Sequence, residues 1–455
     1  MSNSHLNVVI LAAGKGTRMY SSIPKVLHRL AGKPLLFHVV DTARKLDKAE
    51  ICVVYGHGGE AVPNAFESDD LFFVLQEPQL GTGHAVQAAS IHLKNEGSTL
   101  ILYGDVPLTR ATTLARMLRN PDCLTLLTVF LEEPKGYGRI IRDEGGKIKK
   151  IVEEKDASPE ERAIREVNTG IMLAPTVNLR NWLRALKNDN AQQEYYLTDI
   201  VEMAVQEGLP VTSVHPEDAW EVMGINDRVQ LSRMERIFQT EKALTLMKQG
   251  VGLADLSRID IRGDLDCGRD VFIDVNCVFE GRVRLGENVT IGANTVLKNV
   301  EIGAGTEIAP FSHLDGAKIG RHCKVGPYAR IRPGTIVDEG AHVGNFVEIK
   351  NSRIGVNSKA NHLSYLGDSD IGRNVNIGAG TITCNYDGAN KHRTVIEDDA
   401  FIGSDTQLVA PVTVGKGVTI GAGSTITRST PQGGLTLSRS KQVHIDYWKR
   451  PVKKG

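Results

Sequence analysis

Glycines and cations crowd the stretch Leu11-Ala12-Ala13-Gly14-Lys15-Gly16-Thr17-Arg18-Met19, and Pro24-Lys25 follows a few positions on. That combination suits phosphates. Gly14 and Gly16 let backbone N–H groups approach an anion, while Arg18 and Lys25 can offset charge on a transferring phosphoryl group. The apolar run Asn7-Val8-Val9-Ile10 just before it reads as a buried strand, so the loop leaves a strand end, where α/β sheets bind phosphates. No Gly-Lys-Ser/Thr closes it as in a Walker A motif, and Met19 stands where a dinucleotide fingerprint needs its last glycine. A solvated turn is the other reading of so short a motif.

Three more places carry chemistry. Asp105 follows the strand-like Leu100 to Tyr103, where it is either a turn residue or a cation ligand facing the first loop. His362, in Asn361-His362-Leu363-Ser364-Tyr365, is one of thirteen histidines, and a lone histidine is usually a surface or structural residue. The polar run Thr383-Cys-Asn-Tyr-Asp-Gly-Ala-Asn-Lys-His-Arg-Thr394 interrupts a repeat, and solenoid insertions project as loops, often on the binding face.

The elements that must position these residues fall into two halves. From residue 6 to about 225, short apolar runs alternate with helical patterns, which predicts an α/β, Rossmann-like sheet. Strands are expected at Val8 to Leu11, Ile51 to Tyr55, Phe72 to Leu75, Leu100 to Tyr103 and Leu124 to Val129, with helices such as Leu35 to Leu46 and Gly83 to Leu93. Asp227 to Gln249 reads as one long amphipathic helix ending at Gly250. Beyond it aliphatic residues recur every six positions, as in Ile319, Val325, Ile331, Val337, Val343 and Ile349 and again from Ile396 to Ile426. Neither a helix nor an alternating strand has that period, whereas a triangular coil with one short strand per side does. The expectation is a parallel β-helix of hexapeptide repeats, with a glycine-rich sandwich as the weaker alternative. The expected domains are 1–226, a linker helix 227–250, and 251–455.

Lysine plus arginine and aspartate plus glutamate both number 54, so the formal net charge is zero and no nucleic-acid footprint is expected. Small charged ligands are the better match. The first residues, Met1-Ser-Asn-Ser-His-Leu-Asn, lack a basic leader region, and the apolar stretch after them breaks at Gly14, so neither membrane insertion nor export is expected and the chain reads as cytoplasmic. The six cysteines show no Cys-x-x-Cys spacing, which fits a reducing compartment.

Leu11 to Met19 with Pro24-Lys25 resembles the signature loop of sugar-1-phosphate nucleotidyltransferases. Together with Tyr103-Gly104-Asp105-Val106-Pro107-Leu108, Gly136-Tyr137-Gly138-Arg139, Asn168-Thr169-Gly170, the hexapeptide half and Asn385-Tyr386-Asp387-Gly388, it resembles a bacterial bifunctional family across essentially the whole chain. In that family glucosamine-1-phosphate N-acetyltransferase is joined to N-acetylglucosamine-1-phosphate uridyltransferase, and the repeats form a left-handed parallel β-helix.

The resemblance implies that Leu11, Ala12, Ala13, Gly14, Gln76, Gly81 and Thr82 hold UTP, with Lys25 at the phosphates, and Arg18, read from its place in the loop, is a second candidate catalytic cation. It places the sugar against Gly138, Glu153 and Asn168 over a floor of Tyr103 and Gly104. It assigns Mg2+ to Asp105 and Asn226, although Asn226 alone reads as a cap of the following helix. In the second half it implies His362 as the base, with His342, His322 and His392 as competitors. Near His362 the six-residue series puts Ala360 in an aliphatic slot, so the local pattern is bent. Arg332 and Lys350 would bind the sugar phosphate, with Tyr365 and Asn376 completing the glucosamine-1-phosphate site. Ala379, Asn385, Tyr386, Ser404, Ala422 and Arg439 would line the acetyl-CoA groove, and a basic tail, Lys449-Arg450-Pro451-Val452-Lys453-Lys454, follows. The family is trimeric, which implies a homotrimer with acetyltransferase residues drawn from different chains. Two rival readings are a single-function pyrophosphorylase whose β-helix only assembles or regulates, and a non-catalytic assembly subunit.

Overall fold

The computed structural model describes residues 5–453. Met1 to Ser4, the start of the stretch read for a leader, and Lys454 of the basic tail lie outside the described residues. The chain divides into two compact units between Phe238 and Gln239, a point inside the helix Arg228–Lys248.

The first unit is built on a nine-stranded sheet. Its strands are β1 (Leu6–Ala12), β2 (Ala49–Tyr55), β3 (Leu71–Leu75), β4 (Ser98–Tyr103), β5 (Leu124–Phe130), β6 (Arg139–Arg142), β7 (Ile148–Val152), β8 (Glu166–Pro175) and β9 (Val211–Val214). The order is β9-β5-β8-β4-β1-β2-β3, with the β6–β7 hairpin joined to β8. β8 runs antiparallel to β4 and β5, and the pairs β1–β2, β1–β4, β2–β3 and β5–β9 are parallel.

Every residue of β1 is buried, as a parallel strand covered on both faces must be. Val8 and Ile10 enter one core with Leu36 and Val40 of the helix Leu35–Ala43, while Val9 and Leu11 enter another with Val86 and Ala89 of the helix Thr82–Ser90. Both helices stop three residues short of the sequence expectation. After Ala43 the backbone tightens to bonds three residues apart, Lys45 N–H to Thr42 C=O and Leu46 N–H to Ala43 C=O.

The second unit is a left-handed parallel β-helix. Ile291, Ile308, Val325, Val343, Ala360, Ile377, Ile402 and Ile420 stack coil on coil in one sheet, all at most 4% exposed. Leu297, Leu314, Ile331, Ile349 and Leu366 form a second column, and Leu285, Ile302, Ile319, Val337, Ile354, Ile371, Ile396 and Val414 a third. Each strand points one aliphatic side chain inward, which is the period of six. Corners take the left-handed conformation, and asparagine, which tolerates it, fills many of them, including Asn294, Asn351 and Asn374. Buried Gln239 serves the first coil: its amide nitrogen donates to the Ile261 carbonyl at 3.0 Å and its oxygen accepts the Ile261 N–H at 2.8 Å. Among the described residues no helix is long and apolar enough to cross a membrane.

Because Ile402 is fully buried between Ile377 and Ile420, Ile402→Ala is expected to destabilise the chain by about 2–5 kcal/mol. Urea unfolding followed by circular dichroism measures this, and a loss within error of zero contradicts the stacking.

Candidate active sites

In the first unit β1 and β4 end side by side, with Leu11 in register with Tyr103 and the Gly104 N–H donating to the Leu11 carbonyl at 2.9 Å. A cavity of about 450 Å3 opens there. Its lining includes Leu11, Ala12, Ala13, Gly14, Lys25, Gln76, Gly81, Thr82, Tyr103 and Asp105, all named from the sequence, and Val26, Gln79, Ala85 and Glu194, which were not. Gly16 has φ 59°, and a Cβ on it would lie 2.7 Å from the Lys25 Cβ, so the loop folds closely over that lysine. Buried Gln76 donates to the Gly81 carbonyl at 3.0 Å, which fixes its amide at the cavity wall. Arg18 sits exposed on the loop and is not part of this lining.

The Lys25 ammonium donates to Asp105 Oδ2 and, at 3.1 Å, to Asn226 Oδ1. The Ile225 N–H donates to the Asp105 carbonyl at 2.9 Å, which brings the two oxygen donors together across the sequence. Asn226 is not the helix cap. Asp227 Oδ1 accepts the Gln230 N–H at 2.8 Å in that role, leaving the Asn226 side chain to Lys25.

Around Tyr103 the other predicted residues converge. The Asn168 N–H donates to the Gly138 carbonyl at 2.8 Å, and Glu153 Oε1 accepts the Thr198 hydroxyl at 3.0 Å. A Cβ on Gly138 would lie 3.5 Å from the Glu153 carboxylate, and one on Gly170 would lie 2.5 Å from the Tyr103 ring. Burial first, then the charges of Glu153 and Asp105, push the Tyr103 phenol up, so it stays neutral. Burial likewise pushes Glu153 up, and Asp199 beside it to about 6 through burial and the charges of Glu153, Glu202 and Asp156. Thr198 and Asp199 carried no motif signal, since they only open the short helix Asp199–Gln206.

In the second unit, the residues two places beyond the stacked core positions Val343, Ala360, Ile377, Ile402 and Ile420 are Asn345, His362, Ala379, Ser404 and Ala422. They therefore follow one another up successive coils. His362 Nδ1 donates to Asn345 Oδ1 at 2.9 Å, which leaves Nε2 with its lone pair available. Arg439 donates to the Ala422 carbonyl at 3.0 Å and so reaches the same column.

The competing histidines stand in different surroundings. His342 is held low by burial and by Lys324 and Lys359, and His392 is paired with Asp387 at 2.7 Å. His322 occupies a left-handed corner.

Around the corner from His362, on the next face, Arg332 pairs with Glu348 at 2.9 Å, and Lys350 stands in register with Gly367 and Glu348 with Tyr365. Lys391, missed by the sequence reading, stands beside Lys350, whose ammonium holds it below the usual lysine range. Asn376 lies in register with Lys359 on the His362 face, and Tyr386 is exposed on the inserted loop.

Residues 8–190 match the MobA-like NTP transferase domain, residues 261–359 the GMPPB C-terminal domain, and residues 393–428 the bacterial transferase hexapeptide (six repeats). The chain is 61% identical over 454 residues to the bifunctional protein GlmU of Nitrosospira multiformis, covering 99% of each. It is 59% identical over 451 residues to that of Aromatoleum aromaticum, again covering 99% of each. It is also 59% identical over 450 residues to that of Herminiimonas arsenicoxydans, covering 98% of this chain and 99% of that one.

The raised Asp199 has a consequence for stability. Its ordinary value is 3.8 and its folded value about 6, so between these the folded chain binds more protons than the unfolded one and stability falls as pH rises. Asp199→Asn is expected to raise the thermal midpoint at about pH 7.5, with the gain shrinking toward about pH 4. An equal gain at both, read by calorimetry, contradicts the assignment.

Proposed function

The chain belongs to the bifunctional GlmU family, and from that premise we propose how its two units divide the chemistry. It is a bifunctional enzyme of UDP-N-acetylglucosamine synthesis, joining a uridylyltransferase to a hexapeptide acetyltransferase. Acetyl-CoA first acetylates glucosamine-1-phosphate, and the product then takes the uridylyl group of UTP with release of pyrophosphate.

In uridylyl transfer a phosphate oxygen of the sugar attacks the α-phosphorus of UTP. That nucleophile is already an anion, so positioning and charge stabilisation do the work and no base is required. The strand-end cavity supports this reading: its backbone loop and Gln76 receive the nucleotide, Lys25 meets the phosphates, and Gly138, Glu153 and Asn168 meet the sugar. A divalent ion fits the donor set, because the Asp105 and Asn226 oxygens already converge on one cation, the Lys25 ammonium. Mg2+ held by those two residues would neutralise phosphate charge as the bond to the α-phosphorus forms. One carboxylate and one amide make a weak cage already filled by an ammonium, so calorimetry is expected to show Mg2+ binding only when UTP is present. Tight binding to the ligand-free chain contradicts this.

For acetyl transfer, His362 Nε2 takes the proton from the glucosamine amine as its nitrogen attacks the thioester carbonyl, and the coenzyme A thiolate leaves. The observation that carries this reading is the coil-by-coil order Asn345, His362, Ala379, Ser404, Ala422: an oriented base at the foot of a ladder of small residues on which pantetheine can lie. Arg332, Lys350 and Lys391 offer charge to the sugar phosphate, with Tyr365 on their face and Asn376, on the His362 face, completing the sugar site. Asn385, Tyr386 and Arg439 complete the groove.

His362 and its column occupy one face, and Arg332, Lys350 and Tyr365 the next. A homotrimer in which one chain's column meets another chain's phosphate-binding face accounts for that separation. The six free cysteines support residence in the reducing cytoplasm.

Mass spectrometry after mixing the chain with glucosamine-1-phosphate, acetyl-CoA, UTP and Mg2+ is expected to show UDP-N-acetylglucosamine. His362→Ala is expected to abolish it unless N-acetylglucosamine-1-phosphate is supplied, and synthesis that continues without that supply overturns the base assignment. Trimers assembled from His362→Ala and Lys350→Ala chains are expected to regain acetyltransferase activity, and none regained contradicts sharing between chains.

A further inference from the structure

The loop inserted between Thr383 and Thr394 is anchored at both ends by one residue. Asp368 occupies a corner of the coil just before it, in the left-handed conformation with φ 49° and only 8% exposed. Its Oδ2 accepts the Asn385 amide at 2.5 Å, near the loop's start, and its main-chain carbonyl accepts the Thr394 N–H at 3.2 Å, at the loop's end. Its Oδ1 accepts the Asn351 amide at 2.7 Å, from the coil before.

Both side-chain partners are amide donors, so the position needs a group that accepts on both oxygens, and only an ionised carboxylate does so. Burial alone would push the Asp368 carboxyl up, but those two amides and the Lys350 and Lys391 ammonium groups outweigh it and hold it below the usual carboxylate range. Gly367 next to it has no room for a side chain. A Cβ there would lie 2.4 Å from the Tyr365 hydroxyl and 2.8 Å from the Asn385 amide, so those two groups flank it closely.

We propose that Asp368 is a positioning residue for acetyl transfer, tying Asn385 and the root of the inserted loop to the coil that carries Tyr365 and to Lys350 on the coil before it. The proposal rests on the reading of Asn385 as a coenzyme A contact. Asp368 touches no substrate in this scheme. It acts by fixing the Asn385 side chain and by balancing the paired ammonium groups that face the sugar phosphate.

Asp368→Asn tests this with little backbone cost, since asparagine tolerates the left-handed corner, yet it turns a donor toward a donor. Coenzyme A binding measured by calorimetry is expected to weaken at least about tenfold, with KM for acetyl-CoA rising and uridylyl transfer by the same chains unchanged. Combined with Asn385→Ala, the loss is expected to be no greater than that of the worse single variant, because both remove one linkage. Fully additive losses, which two independent structural defects produce, overturn the proposal. So does coenzyme A bound by Asp368→Asn as tightly as by the wild type. A wild-type chain that binds no coenzyme A at all instead fails the functional reading beneath it. Should Asp368→Asn not fold, Asn351→Ala removes the second donor to the same carboxylate and is expected to raise KM for acetyl-CoA in the same direction, and an unchanged KM overturns the proposal.

Discussion

A coil that must bury one small aliphatic side chain on each of its three faces has almost no freedom in how it stacks on the next. Ile308 lies over Ile291 and Ile377 over Ala360 because any slip of one residue would turn the buried chain outward. Every other position then inherits its height and direction from the core. Residues two places past the core column fall into a ladder of their own, and this is how Asn345, His362, Ala379, Ser404 and Ala422 come to share one line. The inserted loop obeys the same constraint. Ile402 stacks on Ile377 although the loop separates them in sequence, so the extra residues leave the core register intact and are displaced to a corner. Function has been added where packing imposes nothing.

The first unit meets a different constraint. A parallel sheet buried on both faces leaves its strand ends as the places where backbone polar groups and charges can gather, and β1 and β4 supply the loop and the acid side by side. Lys25, Asp105 and Asn226 satisfy one another there. The cluster is thus balanced among its own groups, and a charged ligand entering the cavity has to exchange these contacts for its own.

Much of this was legible in the sequence, for identifiable reasons. β1, β2, β4 and β5 showed as apolar runs because burial on both faces leaves no alternation to misread, β3 showed as one although Phe72 and Leu75 are exposed, and the β-helix showed as a period that no other element has. β8, the β6–β7 hairpin and β9, four residues that are all only half-buried, did not show. Asn168-Thr169-Gly170 breaks β8 in its middle, where its register against β5 shifts and Gly170 turns to φ 87°, so neither a run nor an alternation survives. The phosphate loop, Asp105 and the Asn385 loop were legible as motifs. Glu194, Asp199, Lys391 and Asp368 were not, because their places depend on which coil or loop lies next to them, and a charged residue in a loop or at a helix start looks the same whether it faces solvent or a site. Asn226 read by itself as a helix cap, a role that Asp227 fills instead.

The claim on which the acetyltransferase account stands is that the ladder above His362 is the coenzyme A track. A crystal structure of the chain with coenzyme A bound tests it most directly. The account predicts pantetheine lying along Ala379, Ser404 and Ala422, its sulfur at the His362 end, and His362 Nδ1 still on Asn345. Coenzyme A bound away from that column, or seated on it with its sulfur at the Ala422 end, would contradict it.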